Sequence, residues 1–341
     1  MSAYIPMISG IVAFLVTAFS GLLIIPWLRK LKFGQVILDI GPSWHKSKQG
    51  TPTMGGIMFA LGAVIAVAVA LITDLLSRSG VFFGGTPTLQ KENAKVFAGV
   101  FLAFGLGVVG FLDDYIKIAK KRNLGLTAKQ KSLGQLIVVI AYLVILYCYG
   151  CTSIFIPFIG KVDLANTPLS IVYWIVGIFI VYGTVNAVNL TDGIDGLCSS
   201  VTFVAGVAIF VFAGVKQLAS VSVLASCLVG GCAGFLVWNW HPAKVFMGGL
   251  VVALAYAIDC PLILLPLGII YITEALSVII QVTYFKKTGG KRIFKMSPIH
   301  HHFELSGWSE IKIVGIFSLV TFIGAIVGAV LLYFGGFFKI G

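Results

Sequence analysis

The sequence predicts an all-α integral membrane protein, a polytopic bundle of about ten transmembrane helices. Its 341 residues are 59% hydrophobic and only 11% charged, which is outside the usual range of soluble domains. Apolar runs of close to twenty residues recur along the chain, and each is long enough to cross ~30 Å of hydrocarbon. We find neither a long internal repeat nor a low-complexity linker, so we predict a single membrane domain over residues 1–341.

Ten apolar runs are candidate spans. The eighth run has only ten residues before Asp259, which as a helix extends roughly 15 Å, about half of a bilayer. The charge pattern nevertheless needs a crossing there, and either a re-entrant half-helix or missing residues would explain the short run. The runs cover residues 3–28, 55–72, 96–112, 133–149, 169–188, 199–215, 219–238, 249–258, 261–285 and 313–338.

The distribution of basic residues predicts the orientation. Most of the 24 lysine and arginine residues fall in the odd-numbered connections between runs, counted from the N-terminus. By the positive-inside rule these connections are cytoplasmic and both termini lie outside. The net charge of +12 therefore indicates membrane topology and anionic lipid, and we predict no binding of nucleic acid.

Two adjacent carboxylates, Asp113 and Asp114, stand at the end of the third apolar run. Lys117 and several further basic residues follow them, up to Lys131. Paired carboxylates can hold a Mg²⁺ ion that keeps several waters and bridges to substrate phosphates, and nearby lysines suit an anionic substrate. Alternatively, the carboxylates only end a helix and the lysines only lie on the cytoplasmic surface.

A second polar cluster, at residues 186–196, has no basic residue to neutralise it. Such a cluster at the end of a membrane helix is costly unless it faces water or a ligand. A helix that continues past Val188 would place Asn189 and Asp192 on one face. The pattern of a calcium loop is absent. The polar residues of this cluster are Asn186, Asn189, Thr191, Asp192 and Asp195.

Three other segments on the predicted cytoplasmic side are polar. In residues 46–56, Lys48 and Thr53 could reach anionic oxygens, although a loop that starts the next helix explains them equally well. In residues 240–248, Phe246 could stack on a base or a sugar, or belong to an interfacial aromatic belt. Residues 286–310 are basic and could be a solvated amphipathic loop.

That last segment contains three consecutive histidines, His300, His301 and His302. Consecutive side chains on a helix point about 100° apart, so three of them chelate one metal ion poorly. We therefore favour hydrogen bonds to phosphate over metal binding. Glu274 lies within the ninth apolar run, where an ionisable residue is either functional or part of an interhelical hydrogen bond. Its distance from the cytoplasmic polar cluster makes the hydrogen bond at least as good an explanation.

These polar groups share one predicted membrane face. This arrangement fits a metal-assisted phosphoryl transfer from a soluble anionic donor to a lipid phosphate. A transporter of an anionic substrate is the alternative class, but it would need polar groups near the bilayer midplane and interrupted helices there.

Five motifs point to one family. They are GTPTMGG at 50–56, FLDDYIK at 111–117, NAVNLTDGIDGL at 186–197, HPAKVFMG at 241–248 and PIHHHFELSGWSE at 298–310. With these motifs the chain resembles the MraY family, the bacterial phospho-N-acetylmuramoyl-pentapeptide-transferases. The second and third motifs belong to the wider polyprenyl-phosphate N-acetylhexosamine-1-phosphate transferase superfamily. A related enzyme that uses UDP-GlcNAc is therefore the nearest alternative.

The resemblance implies transfer of phospho-MurNAc-pentapeptide from UDP-MurNAc-pentapeptide to undecaprenyl phosphate, with Mg²⁺ as cofactor. Lipid I and UMP are the implied products, the implied location is the bacterial cytoplasmic membrane, and the implied assembly is a homodimer. It also implies that Asp113 and Asp114 hold the metal and take part in catalysis. The other implied catalytic residues are Lys117, His300, His301 and His302. The implied substrate-binding residues are Lys48, Thr53, Lys129, Asn186, Asn189, Asp192, Asp195, Phe246 and Gln281.

The chain departs from the family pattern at Gly248. In the family, the F-M-G of residues 246–248 continues as Asp-Thr-Gly-Ser and a small-residue start of the eighth span, and that Asp is a Mg²⁺ ligand. Here Gly248 is followed at once by Gly249. The shortened motif and the half-length eighth run indicate one gap of about two helical turns, and we expect it to impair Mg²⁺ binding and activity.

Overall fold

The computed structural model describes residues 4–30, 54–119, 125–165, 170–240 and 248–338. Within these ranges nine helices are long and apolar enough to cross a membrane, which confirms the predicted all-α membrane fold. The long helices are α1 (Tyr4–Lys30), α2 (Gly56–Ser77), α3 (Pro87–Ala119), α4 (Ala128–Cys148), α5 (Ser170–Thr191), α6 (Leu197–Val215), α7 (Ala219–Asn239), α10 (Ile269–Lys287) and α12 (Glu310–Phe334).

The bundle is organised around α7, which is the most buried of these helices. α7 packs on α1 with almost no side chain between the two backbones. A Cβ atom added at Gly230 or Gly234 would collide with the carbonyl oxygen of Gly10 or Phe14, respectively. Trp238 Nε1 donates a hydrogen bond to the carbonyl of Ala18 at 2.7 Å. Small residues permit this approach, which is a common way for helices to associate within membranes.

The outer helices present large apolar side chains away from the bundle. Leu23 on α1, Leu76 on α2 and Phe179 on α5 are each more than three-quarters exposed within the protein. In a membrane, lipid chains would cover these surfaces.

The third apolar run is part of a much longer helix than the sequence predicts. α3 begins at Pro87 and continues to Ala119, so Asp113 and Asp114 lie inside the helix rather than at its end. Their side chains are consequently held by helical geometry.

The eighth and ninth runs depart from regular spans. The eighth forms α8 (Gly248–Ala257), a ten-residue helix, as its length predicts. Its residues 251–257 are almost completely buried. The ninth run was expected to be continuous over 261–285. Instead it begins with a 3₁₀ turn, Pro261–Ile263, and the short helix α9 (Leu264–Leu267) before α10 starts at Ile269.

A β-hairpin that the sequence did not predict lies at one end of the bundle. Its strands, β1 (Ser153–Ile156) and β2 (Gly160–Asp163), pair antiparallel. Asp259, just after α8, forms ion pairs with Lys95 at the start of α3 and with Lys161 on β2. We call this the hairpin end of the bundle.

The opposite end contains α11 (Ile299–Glu304) and the polar segments singled out from the sequence. Tyr182 near the end of α5 donates a hydrogen bond to Ser132 near the start of α4 at 3.0 Å, or accepts one from it. His300 on α11 contacts Gly193, which follows α5. The odd-numbered connections after α3, α5 and α10 therefore meet at this end, which we call the site end.

Candidate functional site

A carboxylate–lysine cluster is the centre of the site end. Lys117 lies one turn beyond the two aspartates on α3, and its Nζ is 2.9 Å from both Asp113 Oδ2 and Asp114 Oδ1. The i,i+3 and i,i+4 spacing on a helix brings the three side chains together. Asp113 is buried, whereas the Asp114 side chain keeps 20% of its surface exposed.

The segment before α4 supplies further partners for Asp113. The backbone N–H of Leu126 donates to Asp113 Oδ1 at 2.9 Å, and Lys131 Nζ lies 3.6 Å from Oδ2. Gly125 permits this approach, because a Cβ there would overlap the carbonyl and carboxylate oxygens of Asp113. Asp113 is thus fixed by both α3 and α4.

A capping box explains why α4 begins at this point. Thr127 accepts a hydrogen bond from the backbone N–H of Gln130, and the Gln130 side chain accepts one from the backbone N–H of Thr127. These reciprocal bonds satisfy free N–H groups at the start of a helix. The cap sets the position of Leu126 relative to Asp113.

The donor set fits Mg²⁺ only in part. Among the described residues, no group of three or more His, Cys, Asp and Glu side chains could hold a metal ion. Two carboxylates are nevertheless a sufficient protein contribution for Mg²⁺ when waters and substrate phosphates complete the shell. Asp114 Oδ1 contacts Lys117, and the Asp114 side chain is 20% exposed, so this carboxylate is the more accessible of the two.

The second predicted cluster forms a turn between α5 and α6. α5 includes Asn186 and Asn189 and ends at Thr191, so Asp192 is the first residue beyond the helix. The Asn186 side chain donates to the carbonyl of Tyr182 at 2.9 Å. Gly196, with φ of 75°, closes the turn in the left-handed region that favours glycine.

Asn239, at the end of α7, holds this turn from one side. Its Oδ1 accepts hydrogen bonds from the backbone N–H of Gly196 at 3.0 Å and from Ser199 Oγ at 3.1 Å. Asn239 is buried. Our sequence reasoning missed this residue, although a lone amide at the end of an apolar span is a detectable signal.

The three histidines point in different directions, as consecutive helical residues must. His300 is completely buried and its Nδ1 lies 3.0 Å from Glu274 Oε2. His301 Nδ1 lies 2.6 Å from Glu304 Oε2, and His302 Nδ1 accepts from the backbone N–H of Lys295 at 3.1 Å.

Two expectations change as a result. Glu274 is not remote from the polar cluster, because it contacts the first histidine directly. His300 has no exposed surface, which differs from the environment expected of a residue that bonds a phosphate, and its predicted catalytic role stays a prediction.

Gln281 also has a different environment from the one expected of a substrate-binding residue. Its Oε1 accepts hydrogen bonds from the backbone N–H groups of Ile293 and Phe294, and its Nε2 donates to the carbonyl of Phe294. The side chain is 7% exposed. It therefore holds the basic connection after α10 in place.

Of the remaining predicted site residues, one lies within the described part of the chain and three lie outside it. Lys129 lies exposed in the first turn of α4, near the carboxylate–lysine cluster. Lys48, Thr53 and Phe246 lie outside the described residues. The roles predicted for all of the site residues stay predictions.

A match to a family of known proteins identifies the general class of protein to which the chain belongs. A family model described as glycosyl transferase family 4 matches residues 96–265, a range that contains both Asp113–Asp114 and the turn after α5. Together with the nine apolar helices in the described ranges, this makes the chain a multi-pass membrane transferase.

The particular family follows from closer matches. Residues 48–59 match signature 1 of the phospho-N-acetylmuramoyl-pentapeptide-transferases. Proteins of that name from Desulforamulus reducens and Bacillus cytotoxicus are each 44% identical, with 93% of this chain and 92% or 94% of the relative covered. One from Listeria monocytogenes is 42% identical over 98% of this chain and all of the relative. The chain belongs to this family.

The Listeria alignment also bears on the length of the chain. It extends over 346 residues, more than the 341 that this chain contains. The alignment must therefore include positions at which this chain has no residue. The gap predicted after Gly248 stays a prediction.

Proposed function

We propose that the protein transfers phospho-MurNAc-pentapeptide from UDP-MurNAc-pentapeptide to undecaprenyl phosphate and releases UMP. The observation that carries the proposal is the cluster of Asp113, Asp114 and Lys117 at the site end of α3. Membership of the family supplies the two classes of substrate, a nucleotide-sugar-peptide and a lipid phosphate.

The reaction needs one bond to form and one to break. An oxygen of the lipid phosphate attacks the sugar-bearing phosphorus of the donor, and the bridging oxygen leaves with UMP. Catalysis of such a transfer depends on positioning and on neutralising charge. Lys117 and Lys131 lie within 4 Å of Asp113 and place positive charge beside the acidic pair.

The two aspartates have different roles in this proposal. Asp113 is buried and holds α3 and α4 together through Leu126 and Lys131. The Asp114 side chain is more exposed, so it is the one suited to face the acceptor phosphate or a cation. When bound, Mg²⁺ would neutralise the negative charge of the diphosphate.

Location and assembly are part of the proposal. Basic residues concentrate in the connections that meet at the site end, which supports a cytoplasmic active site in the inner membrane of a bacterium. A homodimer is proposed from family membership alone.

UMP release tests the function. Detergent-purified protein is given UDP-MurNAc-pentapeptide, undecaprenyl phosphate and Mg²⁺, with a parallel reaction in EDTA. With Asp-Thr-Gly-Ser and the helix start restored between Gly248 and Gly249, we expect release that needs both substrates and Mg²⁺, and we expect the 341-residue chain to release less. A preference for UDP-GlcNAc as donor would instead favour the related transferase. Movement of substrate into sealed vesicles without UMP would show a transporter.

Matched variants assign the activity to the cluster. We expect Asp114→Asn and Asp113→Asn to lower kcat by at least about 100-fold, as loss of a group acting in the transition state does. Asp259→Asn is the control, since Asp259 also pairs with two lysines but lies at the hairpin end. Equal losses in all three variants would contradict the assignment.

A further inference from the structure

A buried polar pair links α10 to α11. Glu274, in the second turn of α10, and His300, in the first turn of α11, are both 0% exposed. His300 Nδ1 and Glu274 Oε2 are 3.0 Å apart. Burial of these two polar side chains costs desolvation free energy that an apolar pair would not cost. A polar pair buried within a membrane protein therefore indicates a functional role.

The outer edge of the imidazole ring faces the turn after α5. A Cβ atom added to Gly193 would overlap His300 Nε2 and Cε1, so the ring lies against the glycine backbone. Within the described residues neither His300 Nε2 nor Glu274 Oε1 has a hydrogen-bond partner. The hydrogen bond at Nδ1 is therefore the polar contact that sets the plane of the ring.

The turn is consequently held from two sides. On one side, Asn239 on α7 accepts the N–H of Gly196 at 3.0 Å. On the other side, His300 contacts Gly193. Asp192 and Asp195, the two carboxylates of the turn, lie on either side of Gly193 in sequence.

We propose that Glu274 is a positioning residue: it orients His300, and His300 in turn fixes the turn at residues 192–196. This inference rests on the proposed function only in assigning substrate binding to Asp192 and Asp195. Glu274 itself, buried on α10 behind His300, touches no substrate.

Hydrogen–deuterium exchange tests the positioning without any need for turnover. In Glu274→Leu we expect the backbone amides of residues 192–196 to exchange about tenfold faster, the change that loss of one buried hydrogen bond produces. Glu274→Gln keeps the volume and a polar partner for Nδ1, so it should exchange close to the unmodified rate. Ser277→Ala is the control, because Ser277 is buried about one turn further along α10 and donates to the backbone carbonyl of Glu274 rather than to its side chain.

A double-mutant cycle shows whether Glu274 acts through His300. If it does, Glu274→Leu accelerates exchange in the unmodified chain but has no added effect in a His300→Ala background. Where UMP release is measurable, kcat should follow the same pattern, with Glu274→Gln retaining most of it. The proposal would be overturned if the increases in exchange rate caused by Glu274→Leu and His300→Ala multiplied in the double variant. It would also be overturned if Glu274→Leu left exchange at residues 192–196 unchanged. Absence of UMP release from a version with Asp-Thr-Gly-Ser and the helix start restored after Gly248, together with the expected exchange pattern, would count against the proposed function alone.

Discussion

Replacement of Gly125 by alanine would test how strictly Asp113 must be held. The added Cβ would overlap both the backbone carbonyl and Oδ1 of Asp113. The carbonyl cannot move easily because it belongs to helix α3. Oδ1 cannot move easily because it accepts the Leu126 N–H and its carboxylate also pairs with Lys117. The segment before α4 must therefore move away, and the Leu126 N–H bond to Asp113 is lost.

A hydrogen bond to a charged group contributes ~1.5–3 kcal/mol, and each ~1.4 kcal/mol changes a rate tenfold. If the position of Asp113 matters in the transition state, kcat/KM should fall about 10- to 100-fold. The control is Gly107→Ala on α3, where an added Cβ meets no atom within 4 Å.

The assay is UMP release at saturating Mg²⁺, with thermal unfolding measured on the same samples. Both substitutions are made in the 341-residue chain and in a version with the eighth-span segment restored, so that a low basal rate does not hide the difference. Unchanged kcat/KM in Gly125→Ala, with thermal stability equal to that of the control, would refute the reasoning.

Three further predictions concern stability and the gap. Asp74→Asn should lower the free energy of unfolding by ~2–4 kcal/mol, measured by thermal or denaturant unfolding, because the buried carboxylate accepts the N–H groups of residues 81–83 and the Ser79 hydroxyl. Asp259→Asn should lower it by ~1.5–3 kcal/mol in the same measurement, because Lys95, whose side chain is only 12% exposed, loses its charged partner. The pair with Lys161 is largely exposed, and asparagine tolerates the left-handed φ of 57° at this position, so these two features add little to the loss. Insertion of Asp-Thr-Gly-Ser and a helix start between Gly248 and Gly249 should raise Mg²⁺-dependent UMP release, and full turnover by a sample whose intact mass matches the 341-residue chain would contradict the gap hypothesis.

The sequence predicted the architecture well because its signals are local. A run of twenty apolar residues has one stable arrangement in a bilayer, so nine long helices in the described ranges agree with the predicted runs. The ten-residue length of the eighth run likewise predicted α8. The β-hairpin at residues 153–163 was missed because it is short and part of its support comes from distant groups such as Asp259.

The site was predicted by residue type but not by role. Adjacent aspartates with a lysine three and four residues later on a helix predict the cluster at Asp113 directly. The contact between Glu274 and His300 joins residues 26 positions apart on different helices, and no periodic pattern encodes it. For the same reason, the three backbone bonds of Gln281 could not be anticipated from its position in an apolar run.

The close packing of α1 against α7 has a consequence for biosynthesis. The hydrogen bond from Trp238 to Ala18 joins residues 220 positions apart. At ~5–20 residues per second, a ribosome needs roughly 10–40 s to make the intervening chain. Throughout that interval the face of α1 around Gly10 and Phe14 has no native partner. This face of α1 therefore stays unpaired in the membrane until α7 has been synthesised and inserted. Any factor that shields nascent helices would act on that face.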